Sequence, residues 1–359
     1  MTIDEILQYA KLKGGSDIHI TAGSPPAIRL DGELVLMPGD SLTPEHTHDL
    51  VYSILTEEQK RRFEETSELD ASLTFKGIGR FRVNVFKQRN FVAAALRLIP
   101  ELTSTFEQLG LPQVTYDIAK MPKGLVLVTG PTGSGKSTTL AAIINYVNEN
   151  RSGHIVTIED PIEFIHSHKR SLINQREIGQ DTQSFGNALR HILRQDPDII
   201  LIGELRDLET VQTALNVAET GHLVFATLHT NDAAQSINRI IDVFPAHQQE
   251  QVRVQLSFVI EAVLCQQLLI HASGNGRVLA AEVLMATSAI RNLIREAKVE
   301  QIQTLIQTGS KFGMQTMNQS LADLYRRRLI LYDTALEAST APDDLKRLIG
   351  DRVGLAAKK

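Results

Sequence analysis

Gly130-Pro131-Thr132-Gly133-Ser134-Gly135-Lys136-Ser137-Thr138 fits the phosphate-loop pattern of a glycine, four residues, then Gly-Lys-Ser. Just before it, Leu125-Val126-Leu127-Val128-Thr129 is a short apolar, β-branched run suited to a buried strand, and after it Ser137 to Asn150 carries Leu140, Ile143, Ile144 and Val147 at helical spacing. Strand, glycine-rich loop and helix thus stand in the order that phosphate binding requires. Glycines at 130, 133 and 135 let successive backbone N–H groups turn inward, and the helix start adds its positive end to the same anion. In this pattern Lys136 reaches the β- and γ-phosphates of ATP and the Ser137 hydroxyl ligates Mg²⁺, while Thr132, Gly133, Ser134, Gly135 and Thr138 complete the cradle. A glycine-rich turn without a ligand gives no reason for Lys-Ser at these offsets.

Three further runs, 154–158, 198–202 and 222–228, read as strands separated by stretches of crossover length, which predicts a parallel α/β layer. Each ends in polar residues: Glu159-Asp160-Pro161-Ile162-Glu163, Gly203-Glu204-Leu205-Arg206-Asp207 and His229-Thr230-Asn231-Asp232. Open parallel sheets bind ligands outside the carboxyl ends of their strands, so these tips are expected to share one edge with the phosphate loop. Strand order is not readable from the sequence.

Hydrolysis of a γ-phosphate needs an oriented water, Mg²⁺ and cationic groups. Glu204, directly after an apolar strand, is the candidate for orienting the water; the alternative is a surface ion pair with Arg206. Gly203 replaces the acidic residue usual before such a glutamate, so Mg²⁺ would depend on Ser137, waters, and Glu159 or Glu163. Glu159, Asp160 and Glu163 crowd carboxylates at a cost that a cation would relieve, although a solvated loop is the competing reading. His229 is placed to contact the γ-phosphate, with a hydrogen-bonded core histidine as the alternative, and His222 precedes its strand and is expected farther away.

The first hundred residues read as a separate α+β unit. Ile3, Ile6, Leu7 and Ala10 mark one helix face that Gly14-Gly15 ends, Asp31-Gly32 signals a hairpin, and Thr43-Pro44 and the Thr56 to Gln59 capping box each open a helix. Phe81, Val83 and Val85 alternate with Arg80, Arg82 and Asn84, which puts two arginines on one strand face. Arg80, Arg82 and Arg97 are candidates for an arginine that stabilises phosphoryl transfer from another domain or subunit; Arg190, Arg194 and Arg206 could serve instead, and a solvated strand face remains open. The expected organisation is a domain over 1–99, a Ser/Thr/Gly/Pro-bearing linker over 100–112 and an ATPase domain with a helical end over 113–359. Past Val243 the pattern reads as helices with one hairpin around Gly274-Asn275-Gly276.

Composition bounds the function. With 359 residues, 42% hydrophobic and 22% charged, the chain reads as soluble, and neither a membrane span nor a secretory signal is apparent, so a cytoplasmic location is expected. The single cysteine, Cys265, excludes an internal disulfide and a multi-cysteine zinc site and is expected to be buried. A net charge of −5, no tryptophan and 5% aromatics argue against a nucleic-acid translocase.

Gly130 to Ser137, Ile158-Glu159-Asp160-Pro161-Ile162-Glu163, Leu193 to Asp198 running into Gly203-Glu204, and Gly221-His222 through Asn231 resemble the phosphate loop, Asp box, Walker B and His box of the secretion ATPases of type IV pili and type II and type IV secretion. Ser16-Asp17-Ile18-His19-Ile20, Gly79 to Asn84 and Ala289-Ile290-Arg291-Asn292-Leu293-Ile294-Arg295-Glu296 resemble the branch that retracts pili in twitching motility. In that family Gly203 is normal. The resemblance implies a PAS-like amino-terminal domain, a linker and a RecA-like P-loop domain in a homohexamer. It also implies ATP between the domains, with Arg80, Arg82 and Arg97 approaching the phosphates. Domain rotation would drive an inner-membrane platform protein, disassemble the pilus, and keep the motor at the inner face of the cytoplasmic membrane through its partners. Spacing alone makes 289–296 an amphipathic helix with Ile290, Leu293 and Ile294 inward and Arg291, Arg295 and Glu296 outward. An accessory pilus or secretion motor is the alternative within the same chemistry.

Overall fold

Two units divide the chain in a computed structural model that describes residues 1–101 and 104–350. Residues 102 and 103 of the expected linker, and 351–359 of the expected ATPase domain, lie outside the described residues. One unit comprises Met1–Glu101 and Glu163–Ile165, and the second takes in the remainder.

The first unit is an antiparallel sheet with helices on one face. Its strands are β1 (Asp17–Ile20), β2 (Ala27–Leu30), β3 (Glu33–Leu36), β4 (Glu68–Phe75), β5 (Gly79–Gln88) and β6 (Phe91–Ile99), in the order β3-β2-β1-β6-β5-β4. Local chemistry sets the helix ends. Thr2 and Glu5 form a capping box for Ile3–Lys13, which Gly14 ends in the left-handed conformation; Thr43 caps Pro44–Tyr52, and Thr56 with Gln59 caps Glu57–Thr66. Alternation then divides the sheet: Ile18, Ile20, Phe81, Val83, Val85 and Leu96 are in the core with Ile6, Leu7 and Phe63. The intervening positions of β5 and β6 turn to the other face.

The second unit is a seven-stranded sheet between helical layers, built from β7 (Gly124–Thr129), β8 (His154–Glu159), β9 (Leu172–Glu177), β10 (Ile199–Ile202), β11 (Leu223–Leu228), β12 (Ile260–Ile270) and β13 (Arg277–Met285). The order is β13-β12-β7-β11-β10-β8-β9, with every pairing parallel except β12 with β13. Both faces are covered, which explains runs that are apolar throughout rather than alternating. Leu125 and Leu127 enter one core with Val156, Ile200 and Val224, while Val126 and Val128 enter the other with Ile155, Ile199 and Phe225.

The four expected strands fall in place side by side, in the order β7-β11-β10-β8. Two features exceed the sequence reading. β9 joins the sheet edge although its residues Leu172-Ile173-Asn174-Gln175-Arg176-Glu177 lack an apolar pattern. The hairpin around 274–276 is the tip of two long strands, of which β12 pairs directly with β7. Cys265 lies on β12 and is fully buried, and burial pushes its thiol well above the ordinary range.

Candidate functional site

β7 delivers the chain into the loop, and the helix Lys136–Asn150 leaves it. Gly130, Gly133 and Gly135 have φ of 140°, 78° and 89°, backbone that side chains rarely adopt. At Gly130 the space is also missing: a Cβ would lie 2.3 Å from the Gln266 carbonyl oxygen and 2.7 Å from Ser134 Oγ. Gly130→Ala is therefore expected to cost about 2 kcal/mol or more in urea unfolding, from strain and overpacking together.

Lys136 is only 9% exposed, and its Nζ donates to the carbonyls of Gly130 at 2.8 Å and Pro131 at 3.1 Å. Ser134 is buried and its Oγ has no hydrogen-bond partner among the described residues, whereas Thr132 and Ser137 are exposed and Thr138 is half-buried. A buried ammonium folded over a glycine cradle, beside an unsatisfied hydroxyl and an exposed one, is chemistry suited to a polyphosphate.

β11, β10 and β8 follow β7 across the sheet in the same direction, so the residues after them lie at the edge that carries the loop. Glu159 closes β8, and its Oε1 accepts from Thr157 Oγ1 at 2.6 Å and from Gln175 Nε2 at 3.3 Å. Gln175 is a site residue that sequence reasoning missed, because the polar β9 carried no strand signal. Gly203 follows β10 with its N–H on the Ile158 carbonyl at 2.8 Å, and a Cβ there would sit 3.3 Å from Glu159 Cα. Close backbone packing thus explains glycine where an acidic residue was expected.

Glu204 comes next, with its side chain 20% exposed. Arg206 Nη2 is 2.7 Å and His229 Nε2 is 3.5 Å from Glu204 Oε2, so the ends of β10 and β11 meet at one carboxylate. Burial raises the Glu204 pKa, but the hydrogen bond from Arg206 and the nearby His229 outweigh it and leave the carboxyl below its ordinary range. The ion pair weighed as an alternative for Glu204 is present, together with the histidine that the strand tips were expected to bring near. His222 instead points its Nδ1 to Val217 O at 3.1 Å, and Arg190 is taken by Glu209 at 2.8 Å.

Glu163 is placed differently from its neighbours. The sequence reading grouped it with Glu159 and Asp160, but residues 163–165 belong with the first unit, because Ile165 N donates to Pro100 O at 3.1 Å and bridges Glu101.

Within the first unit, Arg80, Arg82 and Arg97 share one sheet face. Arg82 lies directly opposite Arg97, and Arg97 opposite Asp17. Two cations across a strand pair repel, and Asp17 offsets this by accepting from Arg97 Nε at 2.7 Å. Burial raises the Asp17 pKa, yet bonds from Ser16 and Arg97 bring it below the ordinary value. Arg97→Gln is expected to move the Asp17 titration midpoint upward, read by NMR of its carboxyl carbon.

The helix Ser288–Arg295 buries Ile290 and Ile294 as expected. Arg291 does not turn outward. Its Nε donates to Ala286 O at 3.0 Å, its Nη1 to Ser257 O and Phe258 O at 2.9 Å, and its Nη2 meets Glu261 at 2.9 Å. It clamps the end of the helix Ala246–Val259 where the chain enters β12. Arg291→Ala should cost about 1.5–3 kcal/mol in urea unfolding, the worth of hydrogen bonds from a charged donor.

The model of the type II/IV secretion system protein family matches residues 1–330. The chain belongs to that family. The type IV pilus retraction ATPase PilT of Pseudomonas aeruginosa is 49% identical over 344 residues, covering 96% of this chain and all of the relative. The type IV pilus ATPase PilU of the same organism is 44% identical over 349 residues, 97% of this chain and 91% of the relative. A crystal structure of the pilus retraction motor PilT with bound ADP is 52% identical with a TM-score of 0.89, covering 97% of this chain and 99% of that one. As in this family of secretion proteins, the fold is the RecA-like α/β arrangement with a smaller amino-terminal α+β unit. Among the described residues no helix is long and apolar enough to cross a membrane.

Proposed function

We propose that this secretion-family chain is an ATP-hydrolysing motor that powers type IV pilus retraction. The observation that carries the reading is the meeting of Glu204 and His229 at the ends of neighbouring parallel strands, in the same sheet whose strand β7 feeds the phosphate loop. The near full-length likeness to PilT directs that chemistry to retraction.

ATP is the substrate. Thr132, Gly133, Ser134, Gly135 and Thr138 cradle its phosphates, and Lys136 turns from the loop carbonyls to the β- and γ-phosphates. Glu204, kept anionic, accepts a hydrogen bond from the attacking water, and His229 stands beside it to report the γ-phosphate. Ser137, with Glu159, would hold Mg²⁺, which would neutralise charge on the phosphate oxygens. Among the described residues no three acidic, histidine or cysteine side chains form a metal cage, a pattern that suits Mg²⁺ carried in by phosphates and water. The arginines of the first unit are the source of the cation on the transferring phosphoryl, in this chain or a second copy.

Turnover drives rotation of domains in a homohexamer at the cytoplasmic face of the inner membrane, where the motor works on the pilus platform protein and the rest of the pilus machinery. A strain lacking the chain should display surface pili and fail to move across surfaces. Absence of all pili would assign the motor to assembly, and normal motility would point to an accessory pilus or secretion motor. Single- and double-stranded DNA should leave the ATPase rate of the purified protein unchanged; strong stimulation would favour a nucleic-acid translocase.

A further inference from the structure

Beside the phosphate loop, the second unit holds a cavity of about 440 Å³, partly open to solvent and bordered by Pro131, Asp232, β12, β13 and the carboxyl-terminal helices. Its wall carries three carboxylates among amides and hydroxyls that both donate and accept. Glu282 on β13 is 2% exposed, and it accepts from Ala233 N at 2.9 Å and from Gln303 Nε2 at 3.3 Å. Gln266 on β12 is 1% exposed, and its Nε2 donates to Thr139 Oγ1 at 2.7 Å. Asp344 also lines the cavity but pairs with Arg347 at 2.9 Å. Asp232 accepts from Gln235 N at 2.7 Å and from Gln235 Nε2 at 2.6 Å. Among the described residues Asp232 and Glu282 form no ion pair, and no lysine, arginine or histidine lines the wall.

The sign of this lining disfavours phosphates and carboxylates. A compact metal ion is not matched either, because no cluster of metal-ligating side chains forms among the described residues. Acceptors spread around a cavity of this size suit an extended cation with several N–H donors. Burial raises the Glu282 pKa, against bonds from Ala233 N and Gln303, and a bound cation would relieve that cost.

We propose that this cavity binds an organic guanidinium or ammonium group, held by Glu282 and Asp232. The site stands independently of the motor reading. Because Pro131 forms part of the wall and Gln266 grips Thr139 on the helix after the loop, an occupant would stiffen the phosphate loop. The group comes either from a free amine metabolite or from an arginine side chain of a second copy.

The test is calorimetric titration of the purified full-length protein with agmatine, a chain with guanidinium and ammonium ends, against the neutral n-butylurea. Saturable binding of agmatine alone is expected, weakened at least about tenfold by Glu282→Gln and by Asp232→Asn, as charge-assisted bonds imply. Asparagine retains the capping that Asp232 gives the helix Ala233–Asp242, and unchanged thermal unfolding would show both variants folded. If the natural occupant is an arginine of a second copy, saturating agmatine shifts sedimentation toward smaller species; if it is a free metabolite, the assembly is unmoved. Absence of saturable binding, binding indifferent to both substitutions, or displacement of agmatine by ADP would overturn the proposal.

Discussion

Glu204→Gln is expected to leave ATP binding near the wild-type level while lowering steady-state phosphate release by about 10²–10⁴-fold, the usual worth of a positioned acid–base group. The carboxylate sits where β10 ends, Arg206 and His229 keep it anionic, and its 20% exposure leaves it open to water. Glutamine preserves shape and one acceptor oxygen but removes the charge that draws a proton from the attacking water. The substitution also separates two roles for this residue. Arg206 is 67% exposed, so the ion pair with it contributes only about 0–1 kcal/mol. A purely structural Glu204 would therefore show little change in turnover. Equilibrium binding of a fluorescent ATP analogue, beside a phosphate-release assay on the same preparation, distinguishes them: unaltered hydrolysis would remove Glu204 from the mechanism.

Lys136→Ala is expected to weaken nucleotide binding itself. The ammonium is nearly buried and is held by the Gly130 and Pro131 carbonyls, so it is already desolvated and aimed along the loop before ATP arrives. Truncating one partner of a buried, hydrogen-bonded charge pair costs about 2–5 kcal/mol, which corresponds to at least about thirtyfold in the dissociation constant. Hydrolysis should fall with occupancy. The two substitutions thus fail at different steps, and nucleotide affinity is the measurement that separates them. Wild-type affinity in Lys136→Ala would place the triphosphate elsewhere.

The local chemistry of this protein was legible in its residues. Glycines with a following Lys-Ser specified the loop because few backbones other than a phosphate cradle need those residue types together, and β7, β8, β10 and β11 were visible as apolar runs buried on both faces. Capping residues Thr2, Thr43 and Thr56 marked helix starts because a cap acts over three or four positions.

Tertiary structure decided what depends on partners distant in the chain. β9 is a strand because β8 supplies its hydrogen bonds, and the sequence from Leu172 to Glu177 carries no period of its own. Helical spacing placed Arg291 outward, but the carbonyls at the end of the preceding helix and Glu261 draw it in. Residues 163–165 follow the backbone hydrogen bonds offered near Pro100 rather than the acidic company of Glu159. Sequence fixes period, capping and loop chemistry because those act between near neighbours; pairing and ion-pair choice wait for the fold, because only then do remote donors and acceptors meet.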